Sequence, residues 1–225
     1  MCTLGGKKLE TFVLFKTRDP VLSMRFKDHV KRAPGKLFVA NSDGYYCGIN
    51  KQGVAVVCSV VKVGSRYAPY FIGNWIPSLL DARNAHELLS ILQTLSGDPS
   101  GNLIIADPHT AYTVEVYGSQ QIITPMKTNA VMTNHFIHIH KGPKKSHTST
   151  FLRYARLDKL LNSAGNITDI KTLLADHAHG MSEDSICRHG RKFTNSAFIL
   201  DTKRGRLHYC KGHPCESPFR IYNVK

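Results

Sequence analysis

Two turn tetrads, Asn41-Ser42-Asp43-Gly44 and Asn50-Lys51-Gln52-Gly53, constrain this chain more than any other feature. Asn, Asp and Gly tolerate positive φ, so each tetrad reverses the chain between flanking strands. Residues 45–49 and 54–61 are apolar on both faces, the second inside a valine-rich run that reaches Val63. They read as a hairpin of central strands.

The same reasoning places strands at 11–15 and 37–40, and a second hairpin at 102–106 and 111–117 across Asp107-Pro108-His109-Thr110. Further strands are predicted at 121–125, 130–132, 194–201 and 206–211. Leu79, Leu80, Leu88, Leu89, Leu92 and Leu95 recur at helical intervals, and Asn84 with Glu87 three residues on marks a helix start, so two short helices are predicted over 76–95. A third follows from Leu152, Ala155, Leu157, Leu160 and Leu161 over 149–162, and Thr168 is expected to cap a fourth that runs to about His177. Helices segregated between blocks of strands indicate an α+β fold in which two sheets can stack. No linker or repeat interrupts the pattern, so residues 1–225 are expected to form one domain.

With 225 residues and 42% apolar content, the chain can bury a substantial core. It has no run of ~18 apolar residues and no apolar leader, so a cytoplasmic protein without membrane contact is expected. Six cysteines are too sparse for a disulfide scaffold and are expected to remain thiols. A formal charge of +14 with pI ≈ 9.6 is compatible with nucleic-acid or anionic-surface binding. The basic residues are dispersed, however, and lack the aromatic run or zinc spacing of known modules, which favours a solvated basic surface over a nucleic-acid partner.

Cys2 directly follows Met1. If the initiator is removed, one residue carries both a thiol and an α-amino group. The free amine titrates near ~7.7–8.0 and the free thiol near ~8.5, so the amine can accept the thiol proton close to neutrality. The alternative is a chance Met-Cys start on a frayed terminus.

Set at the head of a strand, Met1-Cys2-Thr3 begins a series of short motifs: Lys16-Thr17-Arg18-Asp19, the 48–55 hairpin segment, Ile104-Ile105-Ala106-Asp107-Pro108, Thr133-Asn134-His135-Phe136, Ser149-Thr150 ahead of Arg153-Tyr154-Ala155-Arg156, and Gly212-His213-Pro214-Cys215. In this order the chain resembles the N-terminal-nucleophile (Ntn) hydrolases, specifically the penicillin acylase, choloylglycine hydrolase and acyl-CoA:6-aminopenicillanate acyltransferase group. The resemblance implies a four-layer αββα sandwich and assigns catalytic roles to Cys2, Asp19, Asn134 and Arg153. Cys2 would be the nucleophile. Asp19 would hold its α-amino group, or else is a turn residue before Pro20. Asn134 would donate to the oxyanion, or else is a strand-end asparagine. Arg153 would supply a cation favouring the thiolate, or else is a helix-surface arginine.

Supporting positions implied by the same resemblance are Lys16, Arg18, Ser59 and Val60. Lys16 and Thr17 stand where relatives carry Arg and Asn, which keeps a charge and loses a bidentate fork. Ser59-Val60 replaces an oxyanion-hole Asn and leaves that role to a backbone N–H. Tyr67 and Trp75, in an aromatic segment, and His135 are candidates for substrate binding.

Paired His138 and His140 on a strand, and the Cys210, His213 and Cys215 trio, lack a second ligand pair at close spacing, so no metal and no cofactor are expected. The functional expectation is an amidase that cleaves a linear, non-peptide C–N bond of a small acylated amine or amide through a Cys2 thioester. Acyl transfer to an amine and dipeptidase chemistry are the enzymatic alternatives, and assembly as a homo-oligomer is expected.

Overall fold

A computed structural model describes residues 2–20, 28–64, 72–142 and 148–225. The first half contains β1 (Cys2–Lys8), β2 (Phe12–Arg18), β3 (His29–Ala33), β4 (Lys36–Asn41), β5 (Gly44–Asn50) and β6 (Ala55–Val60). A 3-10 turn (Ile72–Trp75), α1 (Ile76–Leu79) and α2 (Ala85–Thr94) follow. Next come β7 (Ser100–Ala106), β8 (Ala111–Tyr117), β9 (Gln120–Pro125), β10 (Asn129–Met132), α3 (Ser149–Leu161) and α4 (Ile167–Leu174). The chain closes with β11 (Ser196–Asp201), β12 (Arg206–Lys211) and β13 (Phe219–Asn223).

The strands form two antiparallel sheets, one ordered β10-β1-β2-β11-β12-β13 and the other β3-β4-β5-β6-β7-β8-β9. Three apolar layers hold them. Leu4, Leu14, Val57, Ile104 and Phe198 pack between the sheets. Val56, Trp75, Leu79, Leu88 and Ile105 pack the second sheet against α1 and α2. Phe15, Leu157, Ile170 and Ile199 pack the first against α3 and α4. Each sheet is thus covered on both faces, which explains why a central strand such as β6 is apolar on both faces instead of alternating. The architecture is the αββα sandwich.

Two glycines have a specific reason to be glycine. Gly53 takes φ +81° in the β5–β6 turn, and a Cβ there would lie 2.3 Å from the carbonyl oxygen of Thr202. On β1, Gly5 lies opposite Phe15, whose ring folds over it so closely that a Cβ would meet Cζ at 2.1 Å. The β2 ring therefore lies as close over the β1 backbone as van der Waals contact allows.

The expected helix start at Asn84 is present, its side chain accepting from the Glu87 N–H. The fourth helix is capped two residues earlier than expected, by Asn166, because a reciprocal pair with Asp169 satisfies two backbone N–H groups that Thr168 would leave open. His138 and His140 do not share a strand. Both are exposed in an irregular segment whose backbone N–H groups at 137–139 converge on the buried carboxylate of Glu115.

Candidate active site

Cys2 is the first residue of β1 and lies directly opposite Arg18 in the β1–β2 register, so both side chains stand on the face that looks into the inter-sheet layer. The residue is 8% accessible and belongs to that core. Its nitrogen donates to Oδ1 of Asn134 at 2.7 Å and its carbonyl accepts from Nη1 of Arg153 at 2.8 Å. Both sides of the Cys2 backbone are therefore fixed by side chains remote in sequence.

Arg153 is the centre of this arrangement. It points inward from α3 and is fully buried, which rules out a helix-surface residue. Beyond Cys2 it donates to Thr3 Oγ1 at 2.6 Å, to Ser149 Oγ at 3.2 Å and to Asn134 Oδ1 at 3.3 Å, and it lies 3.8 Å from Asp19 Oδ2. Burial, reinforced by the nearby Arg188 guanidinium, lowers its pKa to about 10, so it stays charged at neutral pH. Only a five-donor planar fork can reach this many acceptors from one position.

Asp19 follows the residue opposite Cys2 and is buried. It accepts from Thr17 Oγ1 at 3.2 Å and Thr194 Oγ1 at 3.0 Å, and lies 3.9 Å from Arg188 Nη1. A carboxylate held by two cations and two hydroxyls is no ordinary turn residue.

Asn134 sits just beyond β10 on a segment clamped from three elements. Asn102 of β7 donates to the carbonyls of Thr133 and His135, Ser59 of β6 donates to the Thr133 carbonyl at 2.6 Å, and Thr150 of α3 accepts the Asn134 N–H. Its Nδ2 donates one hydrogen to the Val60 carbonyl at 2.8 Å, and an amide nitrogen carries a second hydrogen besides. Val60 and Ser59 thus enter by a carbonyl and a hydroxyl that position Asn134, where the sequence had suggested a backbone N–H donor.

The two cations of β2 divide their roles. Lys16 is buried and spends its ammonium on the carbonyls of Cys58 and Tyr46, at 2.5 and 3.4 Å, bridging the two sheets. Arg18 stacks on Tyr46, donates to its hydroxyl at 2.8 Å and pairs with Asp28 at 3.7 Å. Burial opposes its charge, but Asp28, Tyr46 and the Cys2 sulfur together hold its pKa above the ordinary value. The fork that Lys16 cannot offer is supplied by Arg18, facing Cys2.

The three expected substrate contacts fare differently. Tyr67 lies outside the described residues. Trp75 is 3% exposed in the layer between the second sheet and α1–α2, so it is a core residue on the far side of that sheet from Cys2. His135 is buried as well. Its Nδ1 is shared between Thr133 and Thr150 hydroxyls, its ring stacks on Phe151 at 4.1 Å, and burial, with Arg153 nearby, lowers its pKa to about 4. It is a neutral clamp between the Asn134 segment and α3. Thr3, Asn102, Thr150, Arg188 and Thr194 complete the network, and of these only Thr3 and Thr150 fall in motifs visible beforehand.

The acyl-coenzyme A:6-aminopenicillanic acid acyl-transferase family model matches residues 35–212. The chain belongs to that family. No curated protein matches by sequence. Among solved structures, two variants of the conjugated bile acid hydrolase from Clostridium perfringens superpose with TM-scores of 0.57 and 0.56, at 8% identity, covering 100% of this chain and 97% of theirs. This likeness shows the shared Ntn-hydrolase sandwich. Among the described residues, no helix is long and apolar enough to cross a membrane.

Proposed function

We propose that, once Met1 is removed, Cys2 is the nucleophile of an amidohydrolase that cleaves the C–N bond of a small, linear acylated amine. The observation that carries this reading is the paired fixation of Cys2, its nitrogen on Asn134 and its carbonyl on Arg153. In the trimmed chain that nitrogen is an α-amine one residue's width from the sulfur. It takes the thiol proton as sulfur attacks the acyl carbon, and the second Nδ2 hydrogen of Asn134 is available to the tetrahedral oxyanion. Collapse breaks the C–N bond, passes the proton to the leaving amine and leaves a thioester, which water then hydrolyses with the amine again acting as base. Asp19, close to Arg153, supports the charge that the α-amine acquires in both steps.

A second reading shares the thioester and replaces water with an amine acceptor. It is favoured by the family model, which is that of an acyl-transferase.

The test is intact mass spectrometry of the purified protein, followed by incubation with a panel of acyl-amides and acyl thioesters. Loss of Met1, a single acyl adduct on Cys2 and its absence in Cys2→Ala are expected. Free acid as product supports hydrolysis, and a new amide formed with added amine supports transfer. A retained Met1, or an unreactive Cys2 alongside salt-sensitive oligonucleotide binding, overturns the proposal in favour of a basic binding protein.

A further inference from the structure

Between α4 and β11, residues 175–195 contain no helix or strand. Stretches of that length without regular structure are uncommon inside a compact fold unless something ties them down. This one carries His177, Cys187 and His189, and the turn between β12 and β13 brings Cys215 against them. The four donor atoms all lie within 4.8 Å of one another. Cys187 Sγ is 3.5 Å from Cys215 Sγ and 3.6 Å from His189 Nε2, which is 3.5 Å from Cys215 Sγ and 3.0 Å from His177 Nε2.

These spacings are those of a tetrahedron. With Zn–S of about 2.3 Å and Zn–N of about 2.05 Å, tetrahedral edges are roughly 3.8 Å for S to S, 3.6 Å for S to N and 3.3 Å for N to N. The four edges given above fall within about 0.3 Å of these values, and the other two, from His177 to each sulfur and no longer than 4.8 Å, contract by about 1.2 Å at most. Both cysteines are free thiols, 3.5 Å being far beyond a disulfide bond. The ring of His213 stacks on His189 at 3.9 Å and 10°, fixing the imidazole's orientation. Hydrogen bonds of the stretch itself, Cys187 N to Asp176 O and His189 N to Ser182 O, set the backbone on either side of Arg188.

We propose that His177, Cys187, His189 and Cys215 bind one Zn²⁺ ion. Four protein ligands fill the tetrahedral shell, so the ion is structural and offers no open position to substrate. Its effect is on geometry. The metal fastens the stretch to the β12–β13 turn, and between two ligands stands Arg188, fully buried and 3.9 Å from Asp19. Thr194, which donates to the same carboxylate and accepts from the Arg188 N–H, belongs to the same stretch. The Cys210, His213 and Cys215 trio suggested by spacing is divided: Cys210 Sγ turns to the Ser217 carbonyl at 3.2 Å, and His213 is a stacking partner.

The test uses full-length Cys2→Ala protein, so that the nucleophile contributes no thiol and the outcome is independent of the proposed reaction. Protein purified under reductant is analysed for metal, stripped with a chelator and titrated with Zn²⁺ and with Co²⁺. One ion per chain, Co²⁺ spectra of a tetrahedral dithiolate site and a higher melting temperature with Zn²⁺ are expected. Cys215→Ser, at an exposed position that tolerates change, should weaken Co²⁺ binding at least tenfold and remove one thiolate from its spectrum, while Cys210→Ser leaves both unchanged. Failure of reduced protein to bind Co²⁺ stoichiometrically, binding indifferent to Cys215→Ser, or a Cys187–Cys215 disulfide in freshly purified protein overturns the proposal.

Discussion

Arg153 donates from Nη1 to the carbonyl oxygen of Cys2 at 2.8 Å, joining residues 151 positions apart in sequence. The contact comes from the helical layer, whereas the side chain of Cys2 packs in the inter-sheet layer, so its backbone is held from the side opposite its sulfur.

Arg153→Lys should therefore keep the charge and lose the fork. A fall in kcat of roughly 10²-fold with little change in fold is expected, since small misplacement of a reacting group is costly. Arg153→Met removes the nearer of the two guanidinium groups beside Asp19 and leaves Arg188, and should destabilise the protein by about 3 kcal/mol. Denaturant titrations of both variants, and of Arg153→Met combined with Asp19→Asn, check this: the double variant should recover part of the loss.

Asn134 is expected to serve two ends. Asn134→Asp retains an oxygen for the Cys2 nitrogen and for Arg153 but loses both Nδ2 hydrogens, while Asn134→Ala loses everything. If the oxyanion role is right, both should lower kcat by about 10²–10³-fold. Near-normal turnover in Asn134→Asp would restrict the residue to holding Cys2.

Protonation of His135 should weaken the fold in mild acid. Its pKa of about 4 in the folded state lies below the ordinary value of 6.5. Between those values the unfolded chain takes up a proton that the folded one refuses, so stability falls as pH drops from about 6.5 toward 4 and levels off below. Denaturation midpoints measured across that window should show a shallower slope in His135→Gln. An unchanged slope would assign the acid sensitivity elsewhere.

At Gly5 the expectation concerns packing alone. Gly5→Ala drives a methyl into the Phe15 ring and should cost about 1–3 kcal/mol, and Phe15→Leu in the same chain should relieve part of that cost. Additive losses in a double-mutant cycle would contradict the close approach.

What could be read from the sequence follows burial closely. The central hairpins and α2 declare themselves because their positions are apolar and their turns and cap are chemically specific. β3 and β13 went unread, since each is a five-residue edge strand with mostly exposed residues, so His29-Val30-Lys31-Arg32 reads as a basic patch. Motifs supplied Cys2, Asp19, Asn134 and Arg153, which the fold gathers from four separate elements. Arg188 reads only as dispersed basic charge and Thr194 only as the start of a strand that in fact begins at Ser196, so neither is marked as part of the site, and Trp75 was misplaced because aromatic content cannot tell a core wall from a pocket wall.

The strand that carries Cys2 is enclosed by β2 on one side and β10 on the other, Leu4 pairing with Met132. A ribosome needs on the order of ten seconds to reach that partner. Until then the nascent terminus is accessible to an aminopeptidase, and afterwards it is zipped into a sheet. On the proposed chemistry, methionine excision therefore has an interval of seconds in which the strand that holds Cys2 is still without its β10 neighbour.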